Sequence, residues 1–228
     1  MMKLDVLYED NHIIVIVKPA NILSQLDDTA DVDIQHYIKE YLKEKYDKPG
    51  NVYLGLVHRL DRRVSGVMVF ARTSKAASRL SEQIRNHQFE KKYIAIATGN
   101  VNESGTLIDK IEKVKTRAVA SNTGKKAVLN YQLVNQFKLD EYLFSVLKVD
   151  LISGRYNQIR FQFANVKHPL INDYKYGYDL KNYNDQLGLC CFEIGFNHPV
   201  TKEHLVFSKV PNEGIWENVR KDKLWKNY

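Results

Sequence analysis

Five apolar residues in unbroken succession, IIVIV at 13 to 17, end at Lys18 and Pro19, and this brevity limits what the chain can become. A bilayer span needs about 20 such residues, whereas a buried strand needs roughly five or six. The β-branched content favours the strand, and Pro19, which cannot donate to a ladder and restricts the residue before it, ends it. The same grammar recurs downstream. VYLGLV and VMVFA read as strands flanking a charged stretch, EKKYIAIATG stops at Gly99, and turn signals at NESG and SNTG divide antiparallel strands reaching Phe137. EYLFSVLKVDLI, LCCFEIGF and HLVFSKV have strand character too. Helical spacing appears in three places: Ile34, Tyr37, Ile38, Tyr41 and Leu42, beginning after Asp33 and closed by DKPG; Ala76, Ala77, Leu80 and Ile84, capped by Thr73 or Ser74; and Ile159, Phe163 and Val166, with Ser153 and Gly154 giving the sharp entry. Strands and helices alternate irregularly instead of as repeated βαβ units. The expected class is therefore α+β, with a mixed, largely antiparallel central sheet flanked by helices. At 228 residues and 44% hydrophobic content, one domain over 1–228 is expected.

Composition excludes more than it selects. The amino end, MMKLDVLYED, has neither a basic n-region nor a long apolar stretch, so a cytoplasmic, non-membrane protein is expected. Cys190 and Cys191 are adjacent, which suits neither a disulfide framework nor a spaced metal site and predicts two reduced, buried thiols. The histidines show neither HExxH nor zinc spacing, so no metal is implied. SNTGKKA lacks the upstream glycine and the hydroxyl of a phosphate loop, and GxGxxG is absent, so no nucleotide cofactor is supported. Lysine plus arginine exceed aspartate plus glutamate by 34 to 27, which favours a polyanionic partner. The excess is local: from His58 to Lys92 there are nine Lys/Arg against three Asp/Glu, and from Lys110 to Lys126 six against one, Glu112. Taken singly, either cluster is an ordinary solvated face.

The charged stretch VHRLDRRVSG sets Asp61 among Arg59, Arg62 and Arg63. Opposite charges so close favour the ionised carboxylate. Such a group can anchor a salt bridge, bind a metal, act as a base or act as a nucleophile, and on local residues alone the salt bridge is the better reading. A second acid nearby would support a glycosidase or a metal-dependent nuclease; the stretch has none.

Five ordered segments alter that balance. VHRLDRRVSG resembles the HRLDxxTSG signature of the RluA-type pseudouridine synthases. EDNHIIVIVKPANIL precedes it, and KKYIAIATG, SGRYNQIR (similar to GRTHQIR), HPLINDYKYG (similar to GHPIxGDxxYG) and FNHPVTKE follow in the family's order. The resemblance covers nearly the whole chain. It implies a catalytic cleft across the sheet, with Asp61 as the nucleophile. Tyr93 would pack on the target base and help remove a proton, and the Arg160 guanidinium would pair with the nucleophile. Arg59 would occupy the space that a flipped nucleotide leaves. It further implies a cofactor-free isomerase acting on uridine in structured ribosomal or transfer RNA, since the rearrangement is redox-neutral and requires an extruded base. The basic helix at 75 to 85, with Lys75 and Arg79, and the segment 110 to 126 would supply salt-sensitive phosphate contacts, joined by Arg62, Lys91 and Arg155. A catalytically silent RNA-binding or RNA-folding protein on the same scaffold is the alternative, and a monomer is the default.

The chain departs from the family pattern at Val64 for threonine, at Tyr156 and Asn157 for Thr-His of GRTHQIR, at Lys167 and Asn172 for glycines, and at CCF 190–192 for LHA. None of these is Asp61, Tyr93 or Arg160. They bear on loop geometry and on the choice of RNA.

Overall fold

A computed structural model describes residues 2–28, 31–177 and 186–219. In chain order the elements are β1 (Asp5–Glu9), β2 (Ile13–Lys18), α1 (Ile34–Lys45), β3 (Gly55–Leu56), β4 (Ser65–Ala71), α2 (Ser74–Arg85), β5 (Glu90–Thr98), β6 (Ser104–Val114), β7 (Arg117–Ala120), β8 (Lys125–Leu139), β9 (Tyr142–Leu151), α3 (Gln158–Asn165), β10 (Leu189–Asn197) and β11 (His204–Ser208), followed by a short 3-10 turn at Gly214–Asn218. This is the expected α+β class with a largely antiparallel sheet. Among the described residues no helix is long and apolar enough to cross a membrane. The chain forms two compact units, one of residues 1–90 and 193–209, the other of 91–192 and 210–228.

In the first unit β2 runs antiparallel to both β1 and β4, Val15 lying opposite Val69. Ile13 to Ile16 and Val67 to Ala71 are buried without exception, as continuous apolar runs in a sheet covered on both faces should be. Two helices supply cover. The Asp33 carboxylate caps α1 by accepting the His36 N–H at 2.9 Å, and Thr73 caps α2 by accepting the Ala76 N–H at 3.1 Å, each satisfying one of the donors a helix start leaves open. VYLGLV is mostly not a strand. Only Gly55 and Leu56 pair, opposite Ala71 and Phe70, because the chain then turns away into the HRLDRR loop.

Charge ties the unit's distant segments together. His198, from FNHPVTKE, meets Asp10, from EDNHIIVIV, at 2.8 Å. Glu9 accepts from Lys45 at 2.7 Å, from the Tyr46 hydroxyl at 2.6 Å and from Arg72 at 3.0 Å. Burial opposes ionisation of Glu9, yet Lys45, Tyr46 and Tyr41 outweigh it and hold the carboxyl below its ordinary range. Burial acts likewise on Asp10, outweighed by the backbone N–H groups of His12 and Ile13, the Tyr8 hydroxyl and His198. Carboxyls lowered in the folded state stabilise it above their unfolded values and lose that contribution as pH falls through the folded ones. Stability measured by urea unfolding should therefore drop between about pH 5 and pH 3. A Glu9→Gln/Asp10→Asn variant should be weaker at neutral pH and lose less over the same interval; an unchanged acid limb would contradict this account.

In the second unit β9 pairs antiparallel with β5 and β8, β8 with β6, and β6 with β7. Ile94, Ile96, Phe144, Val146, Phe192 and Trp216 form its main core. Cys190 and Cys191 are buried thiols outside any disulfide, as expected. α3 is shorter than its apolar spacing suggests, and its entry differs. Ser153 and Gly154 do not make the turn; Asn157 does, in the left-handed conformation at φ 48°, which asparagine tolerates better than most residues. Val166 lies past the last turn and is 40% exposed, off the buried face assigned to it.

Candidate active site

Asp61 lies in the first unit, in the loop between β3 and β4, and is half-buried. Buried Leu60 and Val64 anchor the loop on either side. Ser24 fixes its start, the hydroxyl donating to the Leu60 carbonyl at 2.7 Å and accepting the Leu60 N–H at 3.2 Å. Lys18 fixes its middle: its side chain, fully buried, donates to the carbonyls of Pro19 and Ile22, each at 2.8 Å, and of Arg62 at 3.2 Å. A buried ammonium is costly unless its protons are engaged, so this lysine works as a three-pronged clamp between the KPAN and LDRR segments. Asp61 finishes the turn itself. Its Oδ1 accepts the Arg63 N–H at 3.0 Å and its carbonyl accepts the Val64 N–H at 3.0 Å. The family's threonine hydroxyl is therefore replaced at Val64 by apolar burial, with bracing supplied from Asp61, Ser24 and Lys18.

His58 of the same motif is structural, its Nε2 accepting the Val69 N–H at 3.1 Å and its ring packing on Phe89. Arg59 is exposed; Arg62 is exposed and pairs with Asp31 at 2.7 Å. On α2, Lys75 is exposed, while half-buried Arg79 donates to the Pro199 carbonyl at 2.7 Å.

The other two catalytic candidates belong to the second unit. Tyr93 is 6% exposed on β5. Burial first, then Cys191 beside it as charge and hydrogen-bond partner, pushes its hydroxyl well above the ordinary tyrosine value. The phenol therefore holds its proton more firmly than an ordinary tyrosine does, as a group that stacks and donates should. Lys91, also on β5, is pushed down by burial, with Cys191 opposing. A lysine so desolvated gains from a phosphate more than a solvated one does.

Arg160, on α3 and 3% exposed, holds Asp173, 0% exposed, through a two-point fork: Nε to Oδ2 at 2.8 Å and Nη2 to Oδ1 at 2.6 Å. Asp173 Oδ1 also accepts the N–H groups of Lys175 and Tyr176, at 3.1 and 3.2 Å. Planar, paired recognition of this kind requires arginine rather than lysine. Arg155 is exposed, with Nε on the Lys126 carbonyl at 3.0 Å. Lys18, Ser24 and Asp173 are the residues that motif reading passes over. Asp173 had a signal, the aspartate of HPLINDYKYG three residues before its tyrosine; Lys18 had only its place beside Pro19.

A family model described as RNA pseudouridylate synthase matches residues 12–165. Ribosomal large subunit pseudouridine synthase D of Xylella fastidiosa is 35% identical over 181 residues, covering 78% of this chain and 53% of that protein. The synthase D of Escherichia coli K12 is 32% identical over 178 residues, covering 76% and 52%. The chain thus spans about half the length of the curated relatives it matches. Two human structures share the fold: RNA Pseudouridylate Synthase Domain Containing 1 has a TM-score of 0.75 at 16% identity, covering 96% of this chain and 94% of that one, and Domain Containing 4 has 0.74 at 21%, covering 95% and 92%.

Proposed function

The chain belongs to the RNA pseudouridylate synthase family, and from that premise we propose that it isomerises a specific uridine of structured RNA to pseudouridine. One observation carries the reading. The loop that carries Asp61 is held by its own turn, Ser24 and Lys18, yet Asp61 stays half-exposed beside the exposed guanidiniums of Arg59 and Arg62. A nucleophile needs that exposure, and it needs the loop beneath it to be fixed.

The reaction breaks the bond from the sugar to N1 of uracil, turns the base, joins the same sugar carbon to carbon 5, and moves one proton from carbon 5 to N1. Atoms and electrons balance without a co-reactant. The base must leave its stack to be turned. Asp61 attacks the sugar carbon or the uracil ring, and either route divides a hard step by covalent catalysis. Arg160 supplies the cation that pairs with the nucleophile, and Tyr93 supplies the flat ring for the base and a hydroxyl for proton traffic. Arg59 fills the gap in the stack. Ribosomal RNA is the favoured substrate because the curated relatives are ribosomal large subunit synthases; transfer RNA is the second choice.

Lys75, Lys91, Arg155 and the 110–126 segment would grip phosphates. RNA affinity should then fall steeply with salt, the log–log slope losing about one unit for each phosphate-contacting cation removed. The decisive experiment maps pseudouridine in total RNA from cells with and without the protein. A site present only with it supports the reading and names the target. Binding to RNA with no difference between the two maps would instead favour a silent RNA-binding protein.

A further inference from the structure

Two of the family departures and one family landmark converge on the same hairpin. β6 and β7 meet at Lys115, in the left-handed conformation at φ 52°, and Thr116. The Tyr156 hydroxyl donates to the Thr116 carbonyl at 3.2 Å, and Lys175 Nζ donates to that carbonyl at 2.7 Å. Two residues beyond Thr116, the Ala118 N–H donates to the Tyr176 hydroxyl at 2.6 Å, and that hydroxyl also accepts the Asn157 side-chain amide at 3.3 Å. Of the two residues that replace Thr-His of the family motif, Tyr156 therefore anchors the hairpin directly, across a span that a smaller threonine could not reach, and Asn157 holds the Tyr176 hydroxyl that anchors it.

Tyr176 does more than anchor. Its ring lies 5.6 Å from the Arg117 guanidinium on β7 and 5.4 Å from that of Arg160. Its own N–H holds the Asp173 carboxylate that forks Arg160. Arg117 is exposed, and the described residues supply no carboxylate within ion-pair distance of it. The Arg160 charge is compensated by the Asp173 fork, whereas Arg117 can take a phosphate. An RNA phosphate bound to Arg117 would pull on β7, whose Ala118 N–H is bonded to the Tyr176 hydroxyl, and so on the residue whose ring and N–H seat Arg160 and Asp173.

We propose that Tyr176 is a positioning residue through which phosphate occupancy of the β6–β7 hairpin sets the seat of Arg160. This rests on the reading above, in which Arg160 serves the nucleophile. The hairpin then reports that RNA is in place before the chemistry is poised.

The test uses the full chain and ribosomal RNA extracted from cells lacking the protein, with pseudouridine counted by mass spectrometry. Tyr176→Phe keeps the ring but loses the hydroxyl that holds Ala118, and should lower kcat roughly tenfold with little change in KM. Tyr156→Phe loses the other anchor and touches no part of Arg160, so it should raise KM and spare kcat. Arg117→Ala should change both, and its effect on kcat should vanish when Tyr176 is already Phe. Lys113→Ala, which loses the ammonium 4.8 Å from the Tyr156 ring, should move KM alone. Equal kcat losses for the two Tyr→Phe variants, or kcat effects of Arg117→Ala and Tyr176→Phe that multiply, would overturn the role of Tyr176. If Tyr176→Phe fails to fold, Arg117→Ala against Lys113→Ala decides on the same criterion. A wild-type protein that makes no pseudouridine in any RNA removes the functional reading; a wild-type protein that does, with multiplying effects, removes only this inference.

Discussion

Asp61→Asn should form no measurable pseudouridine, a loss of at least roughly 10⁴-fold, as expected when a covalent nucleophile is removed. The amide is nearly isosteric with the acid, and its Oδ1 can still accept the Arg63 N–H that shapes the turn. Ser24 and Lys18 hold the loop through backbone groups that the substitution does not change. Stability and RNA affinity should therefore stay close to wild type while turnover disappears. Purified protein incubated with RNA from cells lacking it, with pseudouridine and binding measured on the same samples, tests both halves. Residual conversion near the wild-type rate would remove Asp61 from the mechanism. Joint loss of binding and turnover would show that the carboxylate shapes the loop.

The largest loss of stability should follow Asp173→Ala. Removing one partner of a buried ion pair typically costs about 3–5 kcal/mol, a large part of the roughly 5–15 kcal/mol that holds an ordinary domain together. Arg160 and Asp173 are almost wholly buried, and the same carboxylate closes the turn leading to Tyr176. Urea unfolding measures the cost. Replacing both members, as in Arg160→Met/Asp173→Leu, should recover much of the stability because no buried charge is left behind. Activity should not return with it, since the cation assigned to the nucleophile is gone. A double variant as unstable as Asp173→Ala would place the cost in the turn rather than in the charge pair.

Where local pattern decides structure, the sequence could be read directly. β2 follows from five consecutive apolar residues, and α1 and α2 from apolar spacing with a capping side chain in front. Reading fails where a distant partner decides. VYLGLV has strand composition, but only the stretch facing Ala71 and Phe70 finds a ladder. The start of α3 is set at Asn157, whose side chain answers to Tyr176, 19 residues away, and no local period encodes that. The site shows the same division. Asp61, Tyr93 and Arg160 stand inside recognisable motifs. The buried clamp at Lys18 and the fork on Asp173 depend on which way a charged side chain turns, and a lysine at the end of a strand or an aspartate in a loop carries no mark of turning inward.

The first unit is made from two separate stretches of chain, with the whole of 91–192 inserted between them. During synthesis on the ribosome, β1, β2 and β4 emerge early, but β11 and the last part of β10, with Phe196 to stack on Phe89 and His198 to meet Asp10, arrive only at the end. The early strands, with α1 and α2, must wait without these last partners while more than a hundred residues are added, at roughly 5–20 residues per second. Nascent chains stalled before residue 193 should accordingly be the species that chaperones hold and proteases cut, whatever the stability of the finished protein.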